Sequence, residues 1–299
     1  MDLGAFKFER ILNQDSVTHA ISFLGTLPNA EGVHEPAIIR IEKLALPESS
    51  AEEFAQIVHD VEKIDLNDIY SWYFGRLKSV RDVKINVIFP ATELHIRKYT
   101  KQDNFLVRET PEIYERVVKP FIASFPPSRT KWLDDIISGK KEGEKVLHRD
   151  DTGPFGYLII PDMKWNLETV SDLYLLALCT TNTVKSLRDL RKVHVPVLKN
   201  IKDEATRIVN ARWKNDGKDV SLRMYIHYQP SYYQFHIHIV NANHSMGFGM
   251  AVGQAHLLDD IISLLELDPD DGPSIVERMT FTYGLGEQHG LYPLLAGAE

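Results

Sequence analysis

Stretches rich in β-branched and aromatic residues dominate the first hundred positions. His19 to Leu27, Ala37 to Leu46, Ile69 to Leu77 and Val83 to Phe89 predict strands. Ala51 to Val61 and Thr92 to Tyr99 predict short helices, with Thr92 as the N-cap of the second. The polar run Lys101-Gln102-Asp103-Asn104 breaks the pattern and predicts a hinge between two domains, 1–102 and 103–299.

Helical spacing returns at Pro111 to Ala123, where Glu112 precedes Arg116 and Lys119, the order that the helix dipole favours. Lys131 to Ile137 predicts a second helix, ended at Gly139. Strands are expected at Lys145 to His148 and Gly156 to Ile160, then a helix at Thr169 to Cys179. Pro196 to Ala211 is the clearest helix, with Val197, Leu198, Ile201, Ala205, Ile208 and Val209 on one face. Strands at Val220 to Tyr228 and Tyr233 to Asn241 follow, joined by Gln229-Pro230-Ser231. A helix at Gln254 to Leu267 and a strand at Met279 to Tyr283 complete the chain. Strands in adjacent pairs favour an α+β fold over a doubly wound sheet.

Composition narrows the function classes. At 299 residues and 43% hydrophobic, the chain supplies a sizeable core without a staple. Cys179 is the sole cysteine, so a disulfide within the chain and a cysteine zinc site are excluded; inside an apolar run it reads as a core residue. The start MDLGAFKFER lacks the marks of a secretory signal, and no apolar stretch is long enough to span a bilayer. The expected compartment is therefore the cytoplasm, with the nucleus as a further location. A net charge of −8 argues against a broad nucleic-acid surface and leaves room for a small phosphorylated ligand in a pocket.

The densest chemistry is the segment Tyr232-Tyr233-Gln234-Phe235-His236-Ile237-His238-Ile239-Val240. Strand alternation places Gln234, His236 and His238 on one side and Phe235, Ile237 and Ile239 on the other. A neutral imidazole can attack phosphorus while neighbouring donors stabilise the charge that builds on oxygen. The same row, with His227 on the preceding strand, also suits a transition metal, although no carboxylate is placed to complete it. Ordinary hydrogen-bonded histidines on a strand face are the third reading.

Gln234-Phe235-His236-Ile237-His238-Ile239-Val240 resembles the histidine-triad motif, and the wider segment from His227 to His238 resembles the scavenger mRNA-decapping enzymes within that superfamily. The likeness extends through Asn67 to Tyr70, Phe89 to Glu93, Ile160 to Trp165, Ser186 to Leu190 and Gln254 to Leu258. It implies a histidine-triad-type antiparallel sheet with helices in the second domain, and a smaller mixed α/β first domain acting in dimerisation and as a lid. The implied activity is hydrolysis of methylguanosine cap dinucleotides or short capped RNA through a phosphohistidine on His236, releasing 7-methylguanosine monophosphate without a cofactor or metal. Residues from both domains imply a cleft that closes over the ligand.

The resemblance also assigns roles. His227, Gln234 and His238 assist His236, with Gln234 donating to a phosphate oxygen. Trp132 stacks on the cationic base, Met163 covers its other face, and Glu142 with Asp162 and Lys164 completes base and phosphate recognition. Asn67, Tyr70 and Lys98 of the first domain, and Ser231, Tyr232 and Gln254 of the second, contact ribose or phosphates. Two positions depart from the family: Gln234 replaces a histidine and Gln254 a basic residue, so a cap-binding regulatory protein with little turnover is the alternative. A homodimer with an exchanged amino-terminal segment is the further expectation.

Overall fold

The computed structural model describes residues 2–16, 18–44, 52, 54–78, 83–126, 130–163, 165–214, 217–244 and 248–297. The chain divides into two compact units, Met1–Gln102 and Asp103–Glu299. In the first, β1 (Lys7–Asp15), β2 (Ala20–Pro28), β3 (His34–Lys43) and β6 (Val83–Ile88) form one antiparallel sheet in the order β1-β2-β3-β6. Leu12, Leu24, Ile38 and Ala91 make its small core, on which Ile96 and Tyr99 of the Glu93–Tyr99 helix pack. The remaining strands, β4 (Val58–Asn67) and β5 (Tyr70–Leu77), form a separate two-stranded hairpin. Helix was expected over Ala51 to Val61; among the described residues only Phe54–Ile57 is helical, and Val58 already pairs in β4. Strand β1 was not anticipated, because its charged residues break the apolar alternation.

The second unit is built on a six-stranded antiparallel sheet. Its strands are β8 (His148–Asp150), β9 (Tyr157–Pro161), β10 (Tyr174–Cys179), β11 (Leu222–His227), β12 (His236–Asn241) and β13 (Ala255–Leu257). They lie in the order β13-β11-β12-β10-β9-β8. A two-stranded sheet pairs β7 (Asn104–Glu109) with β14 (Phe281–Gly286). The architecture is α+β, as the element order implied.

Three expectations are corrected here. The stretch Thr169 to Cys179 is a 3-10 turn at Val170–Asp172 followed by β10, not a helix. Every residue of β10 is buried, so a strand covered on both faces shows neither helical nor alternating periodicity. The expected helix from Gln254 begins only at Leu258, because Ala255–Leu257 pairs with β11. The hinge run ends a residue early: Asn104 opens β7 and pairs with Gly286.

One large core fills this unit. The Val195–Arg212 helix buries Leu198, Ile201, Ala205, Ile208 and Val209, and Leu258–Glu266 buries Leu258, Ile261, Ile262 and Leu265. Cys179 is buried in the same core. With Ile237 and Ile239 buried below β12, His236 and His238 stand on the opposite face of a strand paired on both sides.

Candidate active site

Register places the histidines. His236 and His238 of β12 lie opposite Leu178 and Leu176 of β10, and His238 also lies opposite Tyr225 of β11. Carrying that antiparallel pairing two residues further brings His227 alongside His236. The His227 and His238 rings are 4.1 Å apart and the His236 and His238 rings 4.9 Å. One ring nitrogen from each of the three lies within 4.8 Å of the others, a spacing that also meets the requirement of a metal centre. The donor set is imidazole alone, which suits zinc or copper and not magnesium.

Hydrogen bonding fixes the tautomer of His236. Its Nδ1 lies 2.7 Å from the Gln234 carbonyl, an atom that only accepts, so Nδ1 carries the proton and Nε2 the lone pair. Burial lowers the pKa of this imidazole from its ordinary 6.5 to about 4, with the Gln234 bond opposing the shift and His227 adding to it. The ring is therefore neutral at physiological pH. It stacks on Tyr232 with centroids 4.4 Å apart and planes 18° apart, which fixes its orientation. His238 is set by two residues that sequence reasoning missed: Tyr174 Oη lies 2.8 Å from its Nδ1, and the Tyr225 ring stacks on it at 5.0 Å. Tyr225 lies on a strand that is legible in sequence, whereas Tyr174 falls in a stretch that reads as a helix, and the pairing across three strands is not legible. The far nitrogen of His227, Nε2, donates to the Gly249 carbonyl at 2.7 Å.

Gln234 departs from its expected role. It precedes β12 rather than sharing its row, and its amide Nε2 donates to the carbonyls of Cys179 at 2.6 Å and Thr181 at 2.9 Å. An amide nitrogen has two hydrogens, so both are used by backbone and neither faces a phosphate. Gln234 ties the end of β10 to the segment entering β12, while its own carbonyl orients His236. Gln254 is held similarly, with its amide donating to the Gly284 carbonyl.

The base-reading candidates are spread more widely. Trp132 is 44% exposed although its helix buries Leu133 and Ile136, so it is a surface plate and not a core residue. It meets Tyr232 edge to face at 5.4 Å, which gives a continuous path of rings from Trp132 through Tyr232 to His236. Asp162 lies near enough to the Tyr232, Tyr174 and Tyr225 phenols to add to the upward pKa shift that burial gives each of them. Met163 is 93% exposed. Glu142 pairs with Lys145 at 3.4 Å from left-handed backbone at φ 55° and makes no described bond to the histidine cluster. Lys164 lies outside the described residues.

Ser231, His227 and Gln254 line one open pocket of about 260 Å³, together with Gly249, Gly284 and His289. Asn67, Tyr70 and Lys98 belong to the first unit. Asn67 and Tyr70 are exposed partners across the β4–β5 turn, and Lys98 is an exposed helix residue over the Tyr99 ring.

Comparison with known proteins bears on this arrangement. Residues 1–102 match the family model described as scavenger mRNA decapping enzyme (DcpS) N-terminal, and residues 131–253 match scavenger mRNA decapping enzyme C-term binding. A Schizosaccharomyces pombe protein named m7GpppX diphosphatase is 36% identical, covering 97% of this chain and 94% of its own. A Homo sapiens protein of the same name is 33% identical over 100% of this chain and 87% of its own. An Ascaris suum protein, also so named, is 32% identical over 98% and 94%. With both halves matched in order and relatives aligned along nearly the whole length, this chain belongs to the scavenger mRNA decapping enzyme family.

Proposed function

We propose that this chain hydrolyses the 5'-5' triphosphate of methylguanosine cap dinucleotides and short capped RNA, with His236 as nucleophile. The observation that carries this reading is the Gln234 carbonyl on His236 Nδ1, which leaves a neutral ring with its Nε2 lone pair available. Nε2 forms a bond to the phosphorus attached to methylguanosine, and the bond from that phosphorus to the bridging oxygen breaks. The electron pair leaves with the nucleoside diphosphate or short RNA remainder. Water then attacks the phosphohistidine, its proton is released, the P–N bond breaks, and 7-methylguanosine monophosphate departs.

His238, and His227 as an imidazolium whose Nε2–H is held by Gly249, flank the reacting phosphorus as donors to its oxygens, with Ser231, Tyr232 and Lys164 assigned to the phosphates. Trp132 supplies the face on which a cationic methylated guanine stacks, Met163 the opposite cover, and Glu142 with Asp162 the acceptors for its edge. The names of the relatives support this substrate class. Asn67, Tyr70 and Lys98 are assigned to the same ligand by motif match alone.

The test is turnover of a methylated cap dinucleotide, with chelator present, by the wild type and by His236→Asn. Release of 7-methylguanosine monophosphate by the wild type alone is the expected result. Activity lost to chelator and restored by zinc would move the chemistry to a metal held by His227, His236 and His238. A second reading, cap binding with little turnover, is favoured by the Gln234 and Gln254 amides, both of which donate to backbone carbonyls. Tight binding without release would establish it.

We also propose a homodimer built through the first unit. The β4–β5 hairpin exposes Leu66 and Tyr73 on one face and Tyr70, Trp72 and Phe74 on the other. An isolated two-stranded hairpin with apolar residues on both faces needs a covering partner.

A further inference from the structure

A carboxylate that the proposed chemistry does not use lies at the centre of the second unit. Glu109 ends β7, and its side chain has no exposure at all. Its Oε1 accepts from Arg188 Nε at 3.0 Å, Arg188 Nη2 at 2.7 Å and Tyr228 Oη at 2.7 Å. Its Oε2 accepts from Gln229 Nε2 at 3.0 Å and Tyr283 Oη at 2.7 Å. Arg188, equally buried, also donates from Nη2 to the Glu109 carbonyl at 3.3 Å and from Nη1 to the carbonyls of Val276, Glu277 and Met279, and lies over the Phe281 and Tyr114 rings.

An ion pair buried this deeply commonly adds no more stability than apolar side chains of the same volume would. What it does supply is direction, since each oxygen has fixed partners. Two of those partners, Tyr228 and Gln229, are adjacent on one short segment. Tyr228 and Gln229 turn inward to Glu109, and Tyr233 Oη donates to Gln229 Oε1 at 3.2 Å. Between them, Ser231 lines the cavity beside His227, and Tyr232 stacks on His236. The segment is thus gripped on both sides of the two residues it presents. It runs on into Gln234, whose carbonyl sets the His236 tautomer.

We propose that Glu109, fixed by Arg188, is a positioning residue that acts through Gln229 and Tyr228 to set the segment carrying Ser231 and Tyr232, and with it the orientation of the His236 ring. This deepens the hydrolase reading and rests on it where turnover is the measure. It makes the buried pair a geometric device of the site, although no atom of Glu109 is bonded to a site side chain in any described contact.

Glu109→Gln is a poor first test, because it strips the charge from beside a buried guanidinium and can unfold the chain. Gln229→Leu removes the link to the segment while leaving the ion pair, and Tyr228→Phe removes a single hydroxyl. Both are made in the full chain. Binding-competent sites are counted by titration with 7-methylguanosine monophosphate, and kcat and KM for a cap dinucleotide are expressed per such site. The His236 imidazole Nδ1–H is followed by nitrogen-15 NMR without substrate. Gln229→Leu is expected to lower kcat per site by about 10- to 100-fold with little change in KM, as misplacement of a reacting group does. Tyr228→Phe is expected to give a smaller loss in the same direction, and the Nδ1–H signal to move in both. Unchanged kcat per site with an unmoved signal in both variants would overturn the proposal and leave the pair a structural one. If the wild type itself releases no product, the hydrolase reading fails; the NMR signal then decides the positioning role alone.

Discussion

His236 is buried as a neutral ring, and that has a pH consequence. An unfolded imidazole titrates near 6.5, whereas the folded one titrates near 4. As pH falls through this window the unfolded chain takes up a proton that the folded chain refuses, so stability declines and does not return below it. His194 and His256, whose pKa values burial also lowers, act in the same direction. Urea midpoints are therefore expected to fall between about pH 7 and about pH 5, and His236→Asn to fall less steeply than the wild type. Gln234→His installs the histidine that the triad resemblance leads one to expect but cannot donate two hydrogens from one nitrogen to Cys179 and Thr181. The expected cost is about 1–3 kcal/mol, read as a lower urea midpoint, from at least one buried carbonyl left without its donor. Trp132→Ala should weaken binding of a methylated cap analogue by about 1–3 kcal/mol, measured by calorimetry, because it removes the exposed plate and leaves the fold's core untouched.

Among the elements, the Glu109–Arg188 pair ties β7 to the segment after β10 inside the apolar core that both share with β14. Arg188→Met alone should destabilise the chain by about 3–5 kcal/mol in chemical denaturation, since it leaves a buried carboxylate without its cation. The double variant Glu109→Leu, Arg188→Met should recover much of that loss. The Val195–Arg212 helix follows simpler physics. Its apolar stripe appears in the sequence with helical period, because the helix buries one face and exposes the other. Strand β10 had no such stripe to show, since both of its faces are covered.

For the whole molecule, the apolar β4–β5 hairpin carries the strongest expectation. Sedimentation at micromolar concentration should give a dimer, and Trp72→Asp with Phe74→Asp should shift it toward monomer. A monomeric wild type would remove the proposed assembly.

The sequence alone determined the α+β class, the His236–His238 row, the helix of the second unit and the likeness to decapping enzymes. These depend on local spacing and on short motifs, and a single stretch of chain carries each one. Only the tertiary structure decided that Thr169 to Cys179 contains a central strand, that Gln234 binds backbone instead of facing a phosphate, and that Tyr174 and Tyr225 hold His238. It also assembled Glu109 with partners 79 to 174 positions away along the chain. A buried carboxylate has no local signature, because the donors that make its burial tolerable are recruited by folding from distant segments.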